Sequence, residues 1–201
     1  SQGVTHYQWG GPVRGPVVVA IHGLTTPSPL WDDIGARLGR LGYRLLVYDL
    51  FGRGFSDAVP GPQDRAFFLR QLTDLLADQG LRDDLTVMGY SMGGSIATAF
   101  AADQPERMKR LILLAPGGID MTEDRFTRVC RRVPGLGDWL HLALVRGRVP
   151  FRRKGILPAV LSSRRNMLAE IQEADHRKIR RDGTPVVTIW GDKDGDIPLT
   201  A

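Results

Sequence analysis

The 201-residue sequence holds one cysteine, four histidines and few aromatic residues. Each scarcity excludes something. Cys130 cannot close an internal disulfide, and its neighbours are arginines rather than the Cys or His partners that a metal site needs. The fold must stand on its apolar core, and a reducing, cytoplasmic setting is the expectation. No apolar run approaches the roughly 20 residues that cross a bilayer. The N-terminus also lacks the charged and apolar regions of a secretory leader, so a soluble chain without a transmembrane segment is expected. No helix-turn-helix, zinc-finger or aromatic RNA-binding pattern is present, which argues against nucleic acid as a partner. There is no phosphate loop, and Gly52-Arg53-Gly54 lacks the later spacing of a dinucleotide fingerprint, so no cofactor is expected.

Apolar residues make up 42% of the chain, enough for one domain with a small appended unit. The net charge of +5 is unevenly spread: residues 121–182 carry 15 Lys and Arg against 7 Asp and Glu, and the remainder is slightly acidic. A basic segment of this kind is a solvated helical face, or it meets an anionic or amphiphilic small molecule.

Short apolar, β-branched runs recur at 17–21, 44–48, 85–88, 111–114 and 186–190. Runs this short and continuous suit strands buried on both faces. Helical spacing fills the stretches 31–41, 64–79 and 91–103 between them, and Thr5–Trp9 could add an edge strand. The alternation predicts an α/β fold: a mostly parallel open sheet flanked by helices. The pattern breaks after Ala115 and resumes at Pro185. In between lie Arg-rich helical stretches broken by prolines, the longest from about Pro158 to Arg181. The expected organisation is therefore a core of 1–120 and 183–201, with 121–182 inserted as a helical cap or lid.

Gly89-Tyr90-Ser91-Met92-Gly93-Gly94 follows one predicted strand and opens a predicted helix. A serine in such a turn is forced into a strained backbone conformation, and glycines two positions to either side let strand and helix close on each other. Its hydroxyl is exposed at a helix N-terminus, where backbone N–H groups favour a developing negative charge. Ser91 is the candidate nucleophile. His22-Gly23-Leu24-Thr25-Thr26 follows the first buried strand, and the N–H groups of Leu24 and Met92 are the candidate oxyanion hole. His22 is expected to orient its loop by hydrogen bonding and not to act as the base.

The chain resembles the α/β-hydrolase fold family, in its esterase, lipase and meta-cleavage-product hydrolase group. Four motifs carry the resemblance: His22-Gly23; Asp49 to Asp57 with Gly52, Arg53 and Gly54; the elbow around Ser91; and Gly191-Asp192-Lys193-Asp194 with Pro198. It covers most of 5–120 and 184–200, and the inserted segment matches nothing closely. The resemblance implies that Asp194 is the triad acid, with Asp192 and Asp196 as competitors and Asp120 as a remoter candidate. It implies a small-molecule acyl or ester substrate cleaved through an acyl-enzyme, with carbon–carbon hydrolysis of vinylogous diketones or haloperoxidation as other uses of the same triad. It also implies a catalytic histidine beyond Asp194. His6, His22, His141 and His176 all precede that place. The expectation is that the histidine lies beyond Ala201 and that these 201 residues alone have at most residual activity; a non-catalytic ligand-binding protein on the same scaffold is the alternative.

Overall fold

A computed structural model describes residues 2–118 and 156–194. Its centre is a six-stranded sheet in the order β1-β3-β2-β4-β5-β6, formed by Tyr7–Gly10, Val17–Ile21, Arg44–Tyr48, Leu85–Tyr90, Met108–Leu114 and Val186–Ile189. Only β1 is antiparallel, pairing with β3 at one edge, and every other pairing is parallel. The apolar runs of β2, β3 and β4 are buried on both faces, as parallel strands between helical layers must be.

Five α-helices lie among the described residues: α1 Asp32–Arg40, α2 Arg65–Asp78, α3 Met92–Asp103, α4 Ile156–Arg165 and α5 Glu173–Asp182. One face of the sheet packs Val19, Ile21, Leu46, Tyr48, Val87 and Leu111 against α2 and α3. The other packs Val18, Ala20, Leu45, Val47 and Met88 against Trp31 and the α1 residues Ile34 and Leu38. Helix α2 starts where the Asp64 carboxylate accepts the Phe67 N–H at 2.9 Å, an N-cap that satisfies one of the four free donors of the first turn. In α3 every residue from Met92 to Ala102 is buried. Its small side chains let it lie close to β4 and β2.

The periodicity between Pro158 and Arg181 predicts one helix, and the structure has two. The chain leaves α4 at Asn166, makes a short 3-10 turn over Met167–Ala169, and is extended at Glu170 before α5. Met167 causes the break by turning into the core, fully buried, with its N–H given to the Gln63 carbonyl at 3.3 Å. Ile171, which the pattern would bury, is 80% exposed. Helix α5 packs on α3, where Arg65 of α2 ties Asp103 at 2.7 Å to Asp175 at 2.5 Å. The far edge strand β6 is exposed along its length, including Val186, Val187 and Ile189.

Strand β2 has β3 on one side and β4 on the other, so the chain reverses its direction of winding between β2 and β4. Crevices at such a reversal, outside the carboxyl ends of the strands, are where open α/β sheets bind ligands. The loop after β2 and the turn after β4 both emerge there.

Candidate active site

Ser91 stands alone between β4 and α3 with φ 52° and ψ −120°, a conformation that a residue with a side chain adopts only when its surroundings impose it. The surroundings are explicit. Its N–H donates to the Leu114 carbonyl at 3.0 Å, and its own carbonyl accepts from Gly94 at 2.8 Å and Gly117 at 3.0 Å. The flanking glycines are required by space: a Cβ on Gly89 would strike the Gly93 carbonyl, and one on Gly93 would strike the carbonyl oxygen of Ile21. One on Gly94 would stand 2.6 Å from the Pro116 Cβ. The turn is therefore held by β2 and β5 as well as by its own strand and helix. Ser91 is half-buried, while the first eleven residues of α3 behind it are closed off from water.

The loop after β2 touches this turn. A Cβ on Gly23 would lie 3.3 Å from the Ser91 Cβ. His22, fully buried, donates from Nδ1 to the Gly23 carbonyl at 2.7 Å and accepts the Leu50 N–H on Nε2 at 2.9 Å. The Leu50 N–H can only donate, which assigns the tautomer. Burial lowers the His22 pKa to about 4, so the ring is neutral at physiological pH. A peptide is planar and trans, with its C=O and N–H on opposite sides. By gripping the Gly23 carbonyl, His22 therefore aims the Leu24 N–H. No hydrogen-bond acceptor among the described residues takes that N–H. The Met92 N–H is the first of α3 and has no carbonyl a turn earlier to receive it.

The loop after β3 closes the third side. The Asp49 carboxylate, buried completely, accepts the N–H groups of Ser28 and Phe55 at 2.9 Å each and pairs with His6 Nδ1 at 2.9 Å. Burial pushes its pKa up, but the Phe55 and Ser28 donors outweigh that and hold it below the ordinary carboxylate value. Gly54, at φ +48°, lies where any Cβ would collide with this carboxylate. Arg53 turns inward and is buried; Asp57, at the outer end of the loop, accepts the Val4 N–H at 2.8 Å. Asp49 heads the second sequence motif, but the stapling role of its carboxylate was not read from sequence. Its signal was an aspartate ending a buried strand ahead of a glycine-rich loop.

Asp194 follows β6, its N–H turned back to the Gly191 carbonyl at 3.2 Å, and it is half-buried where Asp192 is exposed. Strands β4, β5 and β6 are parallel neighbours, so the ends of β4 and β6 open on the same edge of the sheet, two strand spacings or about 10 Å apart. His6 is committed to Asp49. His176 lies on α5, its Nε2 buried without a partner among the described residues, and burial lowers its pKa. Neither these nor His22 is hydrogen-bonded to Ser91. Asp120, Cys130, His141, Arg152, Arg153, Lys154, Asp196 and Pro198 lie outside the described residues.

A sequence model of the alpha/beta hydrolase fold matches residues 16–140. The chain is 29% identical over 223 residues to a pimeloyl-[acyl-carrier protein] methyl ester esterase of Nitrosomonas europaea, covering 94% of this chain and 81% of that protein. It is 32% identical over 127 residues to a 2-hydroxy-6-oxo-6-phenylhexa-2,4-dienoate hydrolase of Comamonas testosteroni, covering 59% of this chain and 42% of that protein. Several other curated relatives are likewise matched over less than half of their own length. Among solved structures, the enol-lactonase of Burkholderia xenovorans superposes with a TM-score of 0.78 at 21% identity, over 98% of this chain and 82% of that one. The family match takes in more than half of the sequence and runs through both the loop after β2 and the serine turn, and the chain belongs to the alpha/beta hydrolase fold family.

Proposed function

We propose that the protein is a serine hydrolase that cleaves a carboxylic ester or related acyl bond through an acyl-enzyme at Ser91. The observation that carries this reading is the strained turn that holds Ser91 in contact with the Gly23 loop while the Leu24 and Met92 N–H groups have no acceptor among the described residues. In the proposed reaction, the Ser91 Oγ attacks the acyl carbon and gives its proton to a base, and the carbonyl oxygen takes up negative charge beside those two N–H groups. The tetrahedral adduct collapses, the alcohol leaves with the proton returned by the base, and water repeats the sequence to free the acid.

Asp194 is proposed as the acid that orients the base. The gap of about 10 Å between the ends of β4 and β6 is too wide for a direct contact and leaves room for an imidazole between the two residues. That imidazole is assigned to a histidine outside the described residues, to be sought in the chain after Asp194. Residues 121–182 are proposed to cover the site as a cap, with their basic excess facing an anionic or amphiphilic small-molecule substrate. The esterase aligned along 94% of the chain supports ester chemistry. The Comamonas relative, named for a dienoate hydrolase, supports carbon–carbon bond hydrolysis as the second reading.

The test is a fluorophosphonate probe applied to the full-length protein and to Ser91→Ala, alongside turnover of p-nitrophenyl esters and of a vinylogous diketone. Labelling lost in Ser91→Ala supports the reading, and the preferred substrate separates its two forms. Labelling that persists in Ser91→Ala, or full-length protein that binds small esters without being labelled, would overturn it.

A further inference from the structure

Arg53 is the only arginine or lysine buried from water among the described residues, 1% exposed. Its hydrogen-bond partners among the described residues are all neutral. Nε donates to the Leu24 carbonyl at 3.2 Å; one terminal nitrogen donates to the Phe51 carbonyl at 2.8 Å and to the Gln63 side-chain oxygen; the other reaches the Ala159 carbonyl at 3.3 Å and the Ser163 hydroxyl at 2.7 Å. The guanidinium also lies 5.8 Å from the Phe68 ring centroid. A cation held without a countercharge is an expensive way to fill a core, because desolvation is unrelieved by ion pairing. Burial accordingly draws the Arg53 pKa down to about 9. Methionine or leucine would fill the volume more cheaply. What they lack is a rigid fork that grips acceptors in several directions at once.

Those directions join two parts of the molecule that are otherwise distant in sequence. Leu24 belongs to the loop beside Ser91, whereas Ala159 and Ser163 lie on α4. Ser163 passes its own proton to Gln63 at 2.7 Å, and the neighbouring Ser162 hydroxyl accepts the Gln63 N–H at 2.9 Å, so α4 is seated on the Arg53–Gln63 pair through successive hydroxyls. On the loop, His22 grips the Gly23 carbonyl and Arg53 grips the next one. The two peptide planes that flank the Leu24 Cα are thereby fixed, the first of them carrying the Leu24 N–H.

We propose that Arg53 is a positioning residue: it transmits the seating of α4 to the loop that carries the Leu24 N–H, so that displacement of α4 loosens the oxyanion donor. The functional half of this statement rests on the serine-hydrolase reading above; the mechanical half does not. When α4 shifts, Ala159 and Ser163 leave one terminal nitrogen. The fork, planar through Nε, then turns to recover acceptors and releases Leu24.

The test uses the full-length protein with Ser163→Ala, a mild change on α4, and Arg53→Lys, which keeps the charge and loses the fork. Backbone amide order parameters at Leu24 and Thr25 should fall from about 0.85, the rigid value, towards 0.6 in both variants. The kcat for an ester substrate should drop about tenfold with KM little changed, the pattern of a lost transition-state contact. Ser163→Ala that loosens only α4 while Leu24 and Thr25 stay rigid would overturn the proposal, as would restoration of wild-type order by lysine. If the wild-type protein is not labelled by fluorophosphonate, the hydrolase reading fails, and the order parameters alone still decide the mechanical link.

Discussion

Acidification should destabilise this fold through His22. The ring is buried with a donor on one side and an acceptor on the other: Nδ1 gives its proton to Gly23 and Nε2 receives the Leu50 N–H. A second proton on Nε2 would face that N–H with another donor in a dry site. Burial of the ring, with the Arg53 charge nearby, lowers the pKa from 6.5 to about 4. The unfolded chain takes up the proton below its own pKa and the folded one refuses it. The stability linked to His22 is thus complete above pH 6.5 and is lost as pH falls towards about 4. At 1.36 kcal/mol per unit, the full linkage is about 3 kcal/mol, of which about 2 kcal/mol is gone by pH 5. Urea unfolding followed at pH 7.5 and at pH 5 measures it, provided the denaturant slope is the same at both. His22→Gln lowers stability at both pH values but removes most of the difference between them. His176, whose pKa burial also lowers, contributes with the same sign, so His176→Gln is the control. Equal wild-type stability at the two pH values, or a slope that survives in His22→Gln and vanishes in His176→Gln, would refute the reasoning.

Two further outcomes follow from the serine turn. Gly93→Ala forces a Cβ against the backbone carbonyl of Ile21 and should cost about 4 kcal/mol, whereas Gly183→Ala, at φ +75° with open space around it, should cost about 1 kcal/mol; thermal melts that rank the two equally would show that the turn is not clamped as described. Ser91→Gly removes the side chain from a strained positive φ and should raise stability by about 1 kcal/mol while abolishing probe labelling, and a loss of stability in that variant would mean that the strain is absent.

The parts of this architecture that could be read from sequence are those set by neighbours along the chain. Strands β2 to β4 are continuous apolar runs, and nothing but a doubly covered sheet accommodates them. The serine turn was visible because a local crossing of strand and helix demands glycine at 89, while glycine at 93 answers to β2, where the Ile21 carbonyl leaves no room for a Cβ. Strand β5 starts at Met108, earlier than its apolar run indicated, because Met108 already pairs with Leu85 of β4. The break after α4 was hidden because Met167 fits the helical spacing of the sequence as well as it fits the core. The role of Asp49 was also hidden, and Arg53, with Asp57, was legible as an anchor of the glycine loop but its distant partners were not. Arg53 meets partners 29 and 110 positions away, and nothing in a glycine-rich loop says whether its arginine points out or in.

The exposed strand at the far end of the sheet has its own consequence. Edge strands offer unpaired amides and carbonyls to any extended chain, and proteins ordinarily blunt them with charge, proline or a covering layer. Here the offering includes valine and isoleucine side chains with no lysine or proline among the four residues of β6. Among the described residues β6 is paired on one side only, and its open side is where a further extended segment would add to the sheet and cover these side chains.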